Sequence, residues 1–215
     1  MRVVVTCGPS YEPIDEVRRI TNFSTGELGI MLTNHLAKAG CEVVCYRGVG
    51  ATTTERVVGA RVVPFATNQH LRSELEALEH RERVDAVFHA AALCDYRVKS
   101  VLSSCGAEVA ATKIPSRAGE ITLTLDPTAK VIHELRDLFP VSRIVGWKFE
   151  LIGSRADVLA AAIRQLHESR SDACVMNGDA YGAGFGFLEP QQKPVHIVDK
   201  ARLCAHLAQW LTGEE

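Results

Sequence analysis

An amide, two hydroxyls and a glycine stand together at Asn22, Ser24, Thr25 and Gly26, where an apolar helical pattern begins. Backbone N–H groups at a helix start lack intrahelical partners and carry partial positive charge, so they attract anions. With Arg18 and Arg19 on the polar approach, the group reads as a phosphate-binding turn. The plainer alternative is helix capping by the Ser24 or Thr25 hydroxyl. A second group, Ala90-Ala91-Ala92-Leu93-Cys94-Asp95-Tyr96-Arg97, follows the apolar run Val84–His89. Small side chains at a strand's end let a flat base or a backbone approach closely, and Asp95 stands just beyond them. Alone, Asp95 would read as a helix N-cap. Lys113 could neutralise a phosphate, although a lysine in such a segment is usually just solvated. Gly146-Trp147-Lys148-Phe149-Glu150 closes a further apolar run. Trp147 could stack on a base or sit in the core. Asn177 ends the last core run, before a segment punctuated by Gly178, Gly182, Gly184 and Gly186.

Apolar and amphipathic patterns alternate along the chain. Strands are expected at 2–6, 42–46, 61–64, 84–89, 143–149 and 173–177, and helices at 26–39, 68–80, 128–138, 155–169 and 200–211. The strands are near-continuous apolar runs, as in a parallel sheet covered on both faces. The expected fold is α/β: a doubly wound, mostly parallel sheet in a Rossmann-like three-layer sandwich, one domain over 1–215. The first strand ends at Gly8-Pro9, and no G-x-G-x-x-G follows, so phosphates would be held by another route than the usual dinucleotide turn. Ile121, Leu123 and Leu125 alternate with threonines, which reads as one arm of an exposed ribbon or flap over about 97–126. In open α/β sheets ligands sit at the carboxyl ends of the strands, which is where this flap and segment 177–192 should lie.

Composition excludes several classes. The 215 residues carry a formal net charge of -2, which gives no electrostatic case for nucleic acid or an anionic membrane. No apolar run approaches the ~20 residues of a membrane span. MRVVVTCGPS reads as a strand rather than a signal peptide. The seven cysteines form no C-x-x-C, and the eight histidines show no H-E-x-x-H, so a reducing cytoplasm without a structural metal fits best.

Taken in order, these runs resemble the phosphopantothenoylcysteine synthetase family, the phosphopantothenate–cysteine ligases of coenzyme A biosynthesis. Gly8-Pro9-Ser10 resembles the family's G-P-T. Glu12-Pro13-Ile14-Asp15-Glu16-Val17-Arg18 resembles E-P-[IL]-D-x-V-R, and Ile20-Thr21-Asn22-Phe23-Ser24-Thr25-Gly26 resembles I-[ST]-N-x-S-S-G. Ala91-Ala92-Leu93-Cys94-Asp95-Tyr96 resembles A-A-V-[AS]-D-[YF]. Lys113-Ile114 stands at the K-I-K-K stretch, Gly146-Trp147 at G-F, and Asn177 at N-D.

The resemblance implies a ligase that joins 4′-phosphopantothenate to cysteine through an acyl-nucleotide. It uses CTP or ATP with Mg²⁺, as a cytoplasmic homodimer. It implies that Lys113 neutralises phosphate charge, that Asn22 holds the acyl-nucleotide, and that Arg18 and Asn177 contact substrate. Gly8, Ser24, Thr25, Gly26, Ala91, Ala92, Asp95, Gly146, Trp147 and Lys148 would surround the nucleotide. Bifunctional relatives carry FMN on a separate decarboxylase domain. This chain starts at the ligase strand, so no flavin is expected. It departs from the family where Pro115-Ser116 replaces later lysines and where Lys148 follows Gly146-Trp147. Gln165 and Ser169 stand near positions usually held by lysines. These changes cluster around the nucleotide and leave CTP and ATP both open. Two rivals are a short-chain-dehydrogenase-like NAD(P) protein, whose G-x-x-x-G-x-G and Y-x-x-x-K are missing, and a non-catalytic homologue.

Overall fold

The computed structural model describes residues 1–109 and 112–213. Five strands carry the sheet centre: β1 (Arg2–Cys7), β4 (Glu42–Gly48), β6 (Ala86–His89), β9 (Arg143–Phe149) and β10 (Ala173–Asn177). β5 (Arg61–Phe65) closes one edge. On the other edge, β11 (Phe185–Leu188) and β12 (Val195–Ile197) are added antiparallel. The eight-stranded order is β12-β11-β10-β9-β6-β1-β4-β5. The chain leaves β1 toward β4 and β5, then returns to lay down β6, β9 and β10. The winding direction therefore reverses between β1 and β6, and a crevice opens there at the carboxyl ends.

Alternation along the central strand separates two apolar layers. Val3 and Val5 pack with Leu32 and Leu36 of α1 (Glu27–Lys38) and Leu203 and Leu207 of α5 (Lys200–Thr212). Val4 packs with Leu71 and Leu75 of α2 (Asn68–Glu76) and Leu135 of α3 (Val131–Leu138). Side chains like these contribute about 1.5–3 kcal/mol each on full burial. A smaller cluster joins Val158, Ala162 and Leu166 of α4 (Arg155–Ser169) to Cys174 and Met176. Ser154 caps α4 in a reciprocal box with Asp157.

The three-layer expectation holds, with local corrections. The helix expected over 68–80 stops at Glu76; His80 is left-handed at φ 56° and precedes a short 3₁₀ turn over Arg81–Arg83. The helix expected from 128 starts at Val131, because the Thr128 N–H and hydroxyl are spent on the Asp95 and Cys94 carbonyls. The polar approach before Asn22 is a hairpin of β2 (Tyr11–Pro13) and β3 (Arg19–Thr21). The segment read as irregular, 177–192, contains β11, whose four residues are too short to announce themselves between glycines. The flap is an antiparallel pair of β7 (Tyr96–Ser103) and β8 (Ile121–Pro127), with a register shift between Val98 and Ser100.

Candidate active site

The loops after β1, β6, β9 and β10 meet at the switch point and line a cleft of about 840 Å³. One wall is the start of α1. Gly26 occupies its N-cap with φ 77°, and no side chain caps the helix. The Thr25 hydroxyl accepts only the Glu27 N–H, at 3.3 Å. The capping alternative for Ser24 therefore fails, and the helix start presents its first-turn amides to the cleft with Asn22, Ser24 and Thr25. Glycine is required in this turn. A Cβ on Gly26 would lie 3.0 Å from the Ala51 methyl, and one on Gly29 would lie 2.2 Å from the Cys7 Cβ. The helix thus docks directly on the end of β1.

The floor is Ala90-Ala91-Ala92-Leu93, laid against β1 by main-chain bonds from Ala90 N to Thr6 O and Ala92 N to Gly8 O. Beneath it the Thr6 hydroxyl lies 2.8 Å from His89 Nδ1 and accepts the Ala91 N–H at 3.3 Å. Burial pushes the His89 imidazole down to about 4, so it is neutral near pH 7. Asn22 donates through Nδ2 to the Leu93 carbonyl at 2.8 Å, joining wall and floor. Asp95 is not a helix cap. It starts the flap, exposed and 4.0 Å from Lys130.

Cations ring the opening. Lys130, Lys148 and Lys200 all line it, paired respectively with Asp95, with Glu150 at 3.1 Å and with Glu27 at 2.6 Å. Trp147 reaches the cleft yet packs against the α1/α5 core, and its buried Nε1 has no partner. Asn177 lines both this cleft and an adjoining hollow of about 820 Å³ beside the glycine loop, with Oδ1 buried and unpaired. The Cys94 thiol, pushed up by burial, is a poor nucleophile. Among the described residues no three His, Cys, Asp or Glu side chains form a metal cluster. The donor set does not build a dedicated cation cage, so a Mg²⁺ ion here would depend on a nucleotide's own phosphate oxygens and water.

Of the residues singled out from sequence, the structure brings Asn22, Ser24, Thr25, Gly26, Ala91, Ala92, Asp95, Trp147, Lys148 and Asn177 to one cleft. It does not bring four others there. Gly8 lies behind the α1 turn, and Gly146 makes room for Gln165 and Ile132. Arg18 and Lys113 sit together away from the cleft wall. His89, Asn68, Lys130 and Lys200 were not foreseen. Their signals are weak, being a histidine in an apolar run, an asparagine at a helix start and lysines at two helix entries.

This geometry has known counterparts. The DNA/pantothenate metabolism flavoprotein C-terminal domain family matches residues 1–209. The coenzyme A biosynthesis bifunctional protein CoaBC of Thermococcus kodakarensis is 33% identical over 82% of this chain. The chain spans only about two fifths of that relative, 41% of its length. The crystal structure of the DNA/pantothenate metabolism flavoprotein from Streptococcus pneumoniae superposes with a TM-score of 0.84 at 23% identity, covering 100% of both chains. A Cab2 mutant in complex with phosphopantothenate-cysteine gives 0.69 at 14% identity, covering 99% of this chain and 87% of that one. With a family match over nearly its whole length and a shared fold, the chain belongs to the DNA/pantothenate metabolism flavoprotein C-terminal domain family.

Proposed function

We propose that the cleft activates 4′-phosphopantothenate with a nucleoside triphosphate and couples it to cysteine, as a phosphopantothenate–cysteine ligase of coenzyme A biosynthesis. The observation that carries this reading is the uncapped start of α1 facing an alanine floor inside a ring of three lysines. Amide dipoles and ammonium groups suit a polyphosphate, and bare alanines suit a flat base. The relative from Thermococcus kodakarensis is named for coenzyme A biosynthesis, which supports the substrate class.

In the first step a pantothenate carboxylate oxygen attacks the α-phosphorus and pyrophosphate leaves, giving an acyl-nucleotide. In the second the cysteine amine attacks the acyl carbon, and the nucleoside monophosphate departs with the former carboxylate oxygen. No protein nucleophile is needed, which agrees with the inert Cys94 thiol and the neutral, hydrogen-bonded His89. The chain's part is positioning and charge stabilisation. The α1 amides, Ser24 and Thr25 hold phosphate oxygens. Lys130, Lys148 and Lys200 balance their charge, and Lys113, which lies outside the cleft of its own subunit, adds to it from the flap of a second subunit. Asn22, fixed by Leu93, orients the acyl-nucleotide. Ala91, Ala92, Asp95 and Trp147 line the base side, and Asn177 meets the pantothenate end. Mg²⁺ arriving with the triphosphate would screen its charge, held by phosphate oxygens rather than by a protein cage.

The test is pyrophosphate release with CTP and with ATP in separate reactions. The reading requires release that depends on phosphopantothenate with at least one nucleotide, and amide formation that depends on cysteine. No release with either nucleotide would overturn it.

A further inference from the structure

Asp15 lies outside the cleft, yet its side chain exposes no surface to solvent. One oxygen accepts the Val17 N–H at 2.8 Å and the Arg18 N–H at 2.6 Å. The other accepts Arg18 Nη1 at 2.6 Å and, across 99 residues of chain, the Ile114 N–H at 3.1 Å. Arg18 Nη2 completes the ring by donating to the Ile114 carbonyl at 3.0 Å. On the other side of Lys113, the Glu16 N–H donates to the Thr112 carbonyl at 3.0 Å. Ile114 itself is buried. Both peptide neighbours of Lys113 are thus bonded to the 15–18 turn, which leads through β3 to Asn22. The Ile114 amide, ahead of the Val17 and Arg18 amides and the Arg18 charge, holds the Asp15 carboxyl below its ordinary range.

We propose that Asp15 is a positioning residue: through Arg18 and Ile114 it clamps the segment bearing Lys113 to the hairpin bearing Asn22, so that the two groups move as one unit. Arg18 on this account is a strut of the clamp rather than a substrate ligand. A lysine on an otherwise exposed ribbon would lose much of its effect to side-chain and loop freedom, and a fixed main chain removes the loop's share. What Lys113 does in catalysis rests on the ligase reading; the clamp itself does not.

Asp15→Asn turns one of the two acceptor oxygens into an amide facing two donors. Amide hydrogen exchange at Ile114 should accelerate about tenfold or more in this variant, the usual consequence of losing a hydrogen bond to a charged group. Exchange in β1 and β6 should stay unchanged. Pyrophosphate release should fall about tenfold or more in kcat, with KM for the nucleotide moving less. In Lys113→Gln the same Asp15→Asn change should cost less than about twofold further, because both act through one group. Losses that multiply in the double variant, or unchanged exchange at Ile114, would overturn the proposal. If the parent protein releases no pyrophosphate, the ligase reading fails and the exchange measurement alone decides the clamp. Should Asp15→Asn not fold, Arg18→Gln carries the same exchange test.

Discussion

At the scale of single residues, Asn22 and Lys113 make the sharpest forecasts. Asn22→Asp keeps the size but exchanges the Nδ2 donor to Leu93 for a negative charge where the proposed reading puts the phosphates. It should impair acyl-nucleotide formation or its conversion while leaving the melting temperature near the parent value. Lys113→Gln removes an exposed cation, and a lost charge-assisted contact should lower turnover about tenfold to a hundredfold. Near-parent turnover in both variants would show a merely solvated lysine and a loop amide without a role. His89 makes a separate forecast. Its folded pKa, about 4, lies below its unfolded value near 6.5, so the unfolded chain binds the extra proton between the two. Stability should therefore fall as pH drops from about 6.5 toward 4, by up to about 3 kcal/mol from this group. His89→Gln should flatten that part of the stability–pH curve measured by denaturant unfolding. An unchanged slope would contradict the buried, neutral imidazole.

At the scale of elements, the union of α1 with β1 is tight enough to test by one methyl group. Gly29→Ala places a Cβ 2.2 Å from that of Cys7, so helix or strand must shift. Overpacking of this kind costs about 1–3 kcal/mol and should lower the melting temperature by several degrees. It should also raise KM for the nucleotide, because the proposed reading puts the phosphates on the same turn. A normal melting temperature would mean that the helix start has slack. The flap makes a second forecast at this scale. β7 and β8 form a sheet of their own, with Tyr96 and Leu125 partly exposed on it and Phe23 and Val17 exposed nearby in sequence to the hairpin. A lone two-stranded ribbon is marginal in water, so a second subunit should cover it. Light scattering at micromolar concentration should give a dimer mass, and a clean monomer would count against it.

Much of this architecture was legible beforehand because parallel strands buried on both faces are continuous apolar runs. Val3–Val5, Ala86–Phe88 and Ala173–Met176 all read that way, the strand expected from Val84 starting only after Asp85. What escaped was held by tertiary bonds or by short pairing. α2 ends at Glu76 with Ala77 as its C-cap, a left-handed His80 then opens the 3₁₀ turn, and the late start of α3 depends on Thr128 bonding back to the flap. β11 and β12 gain their strand character only from the edge of β10. Within the site, motif residues on the loops after β1 and β6 were visible from type and spacing. Lys130 and Lys200 were not, since a lysine at a helix entry looks the same whether it faces a ligand or water. Arg18 is a different case: its place in a motif suggests a ligand contact, and in the structure its guanidinium donates to Asp15 and the Ile114 carbonyl, partners that spacing does not reveal.

At the scale of the whole molecule, the proposed ligase reading assigns one chemical event to the switch-point cleft and its three lysines, transfer of a nucleotidyl group onto a carboxylate. Among the described residues no helix is long and apolar enough to cross a membrane. The measurement that tests this most directly follows oxygen. Phosphopantothenate labelled with ¹⁸O in its carboxylate is incubated with cysteine and the nucleotide that supports turnover, and the released nucleoside monophosphate is weighed by mass spectrometry. Attack of the carboxylate on the α-phosphorus predicts one ¹⁸O atom in that phosphate for each amide formed. Amide formed with unlabelled nucleoside monophosphate, or with the label in inorganic phosphate, would contradict it.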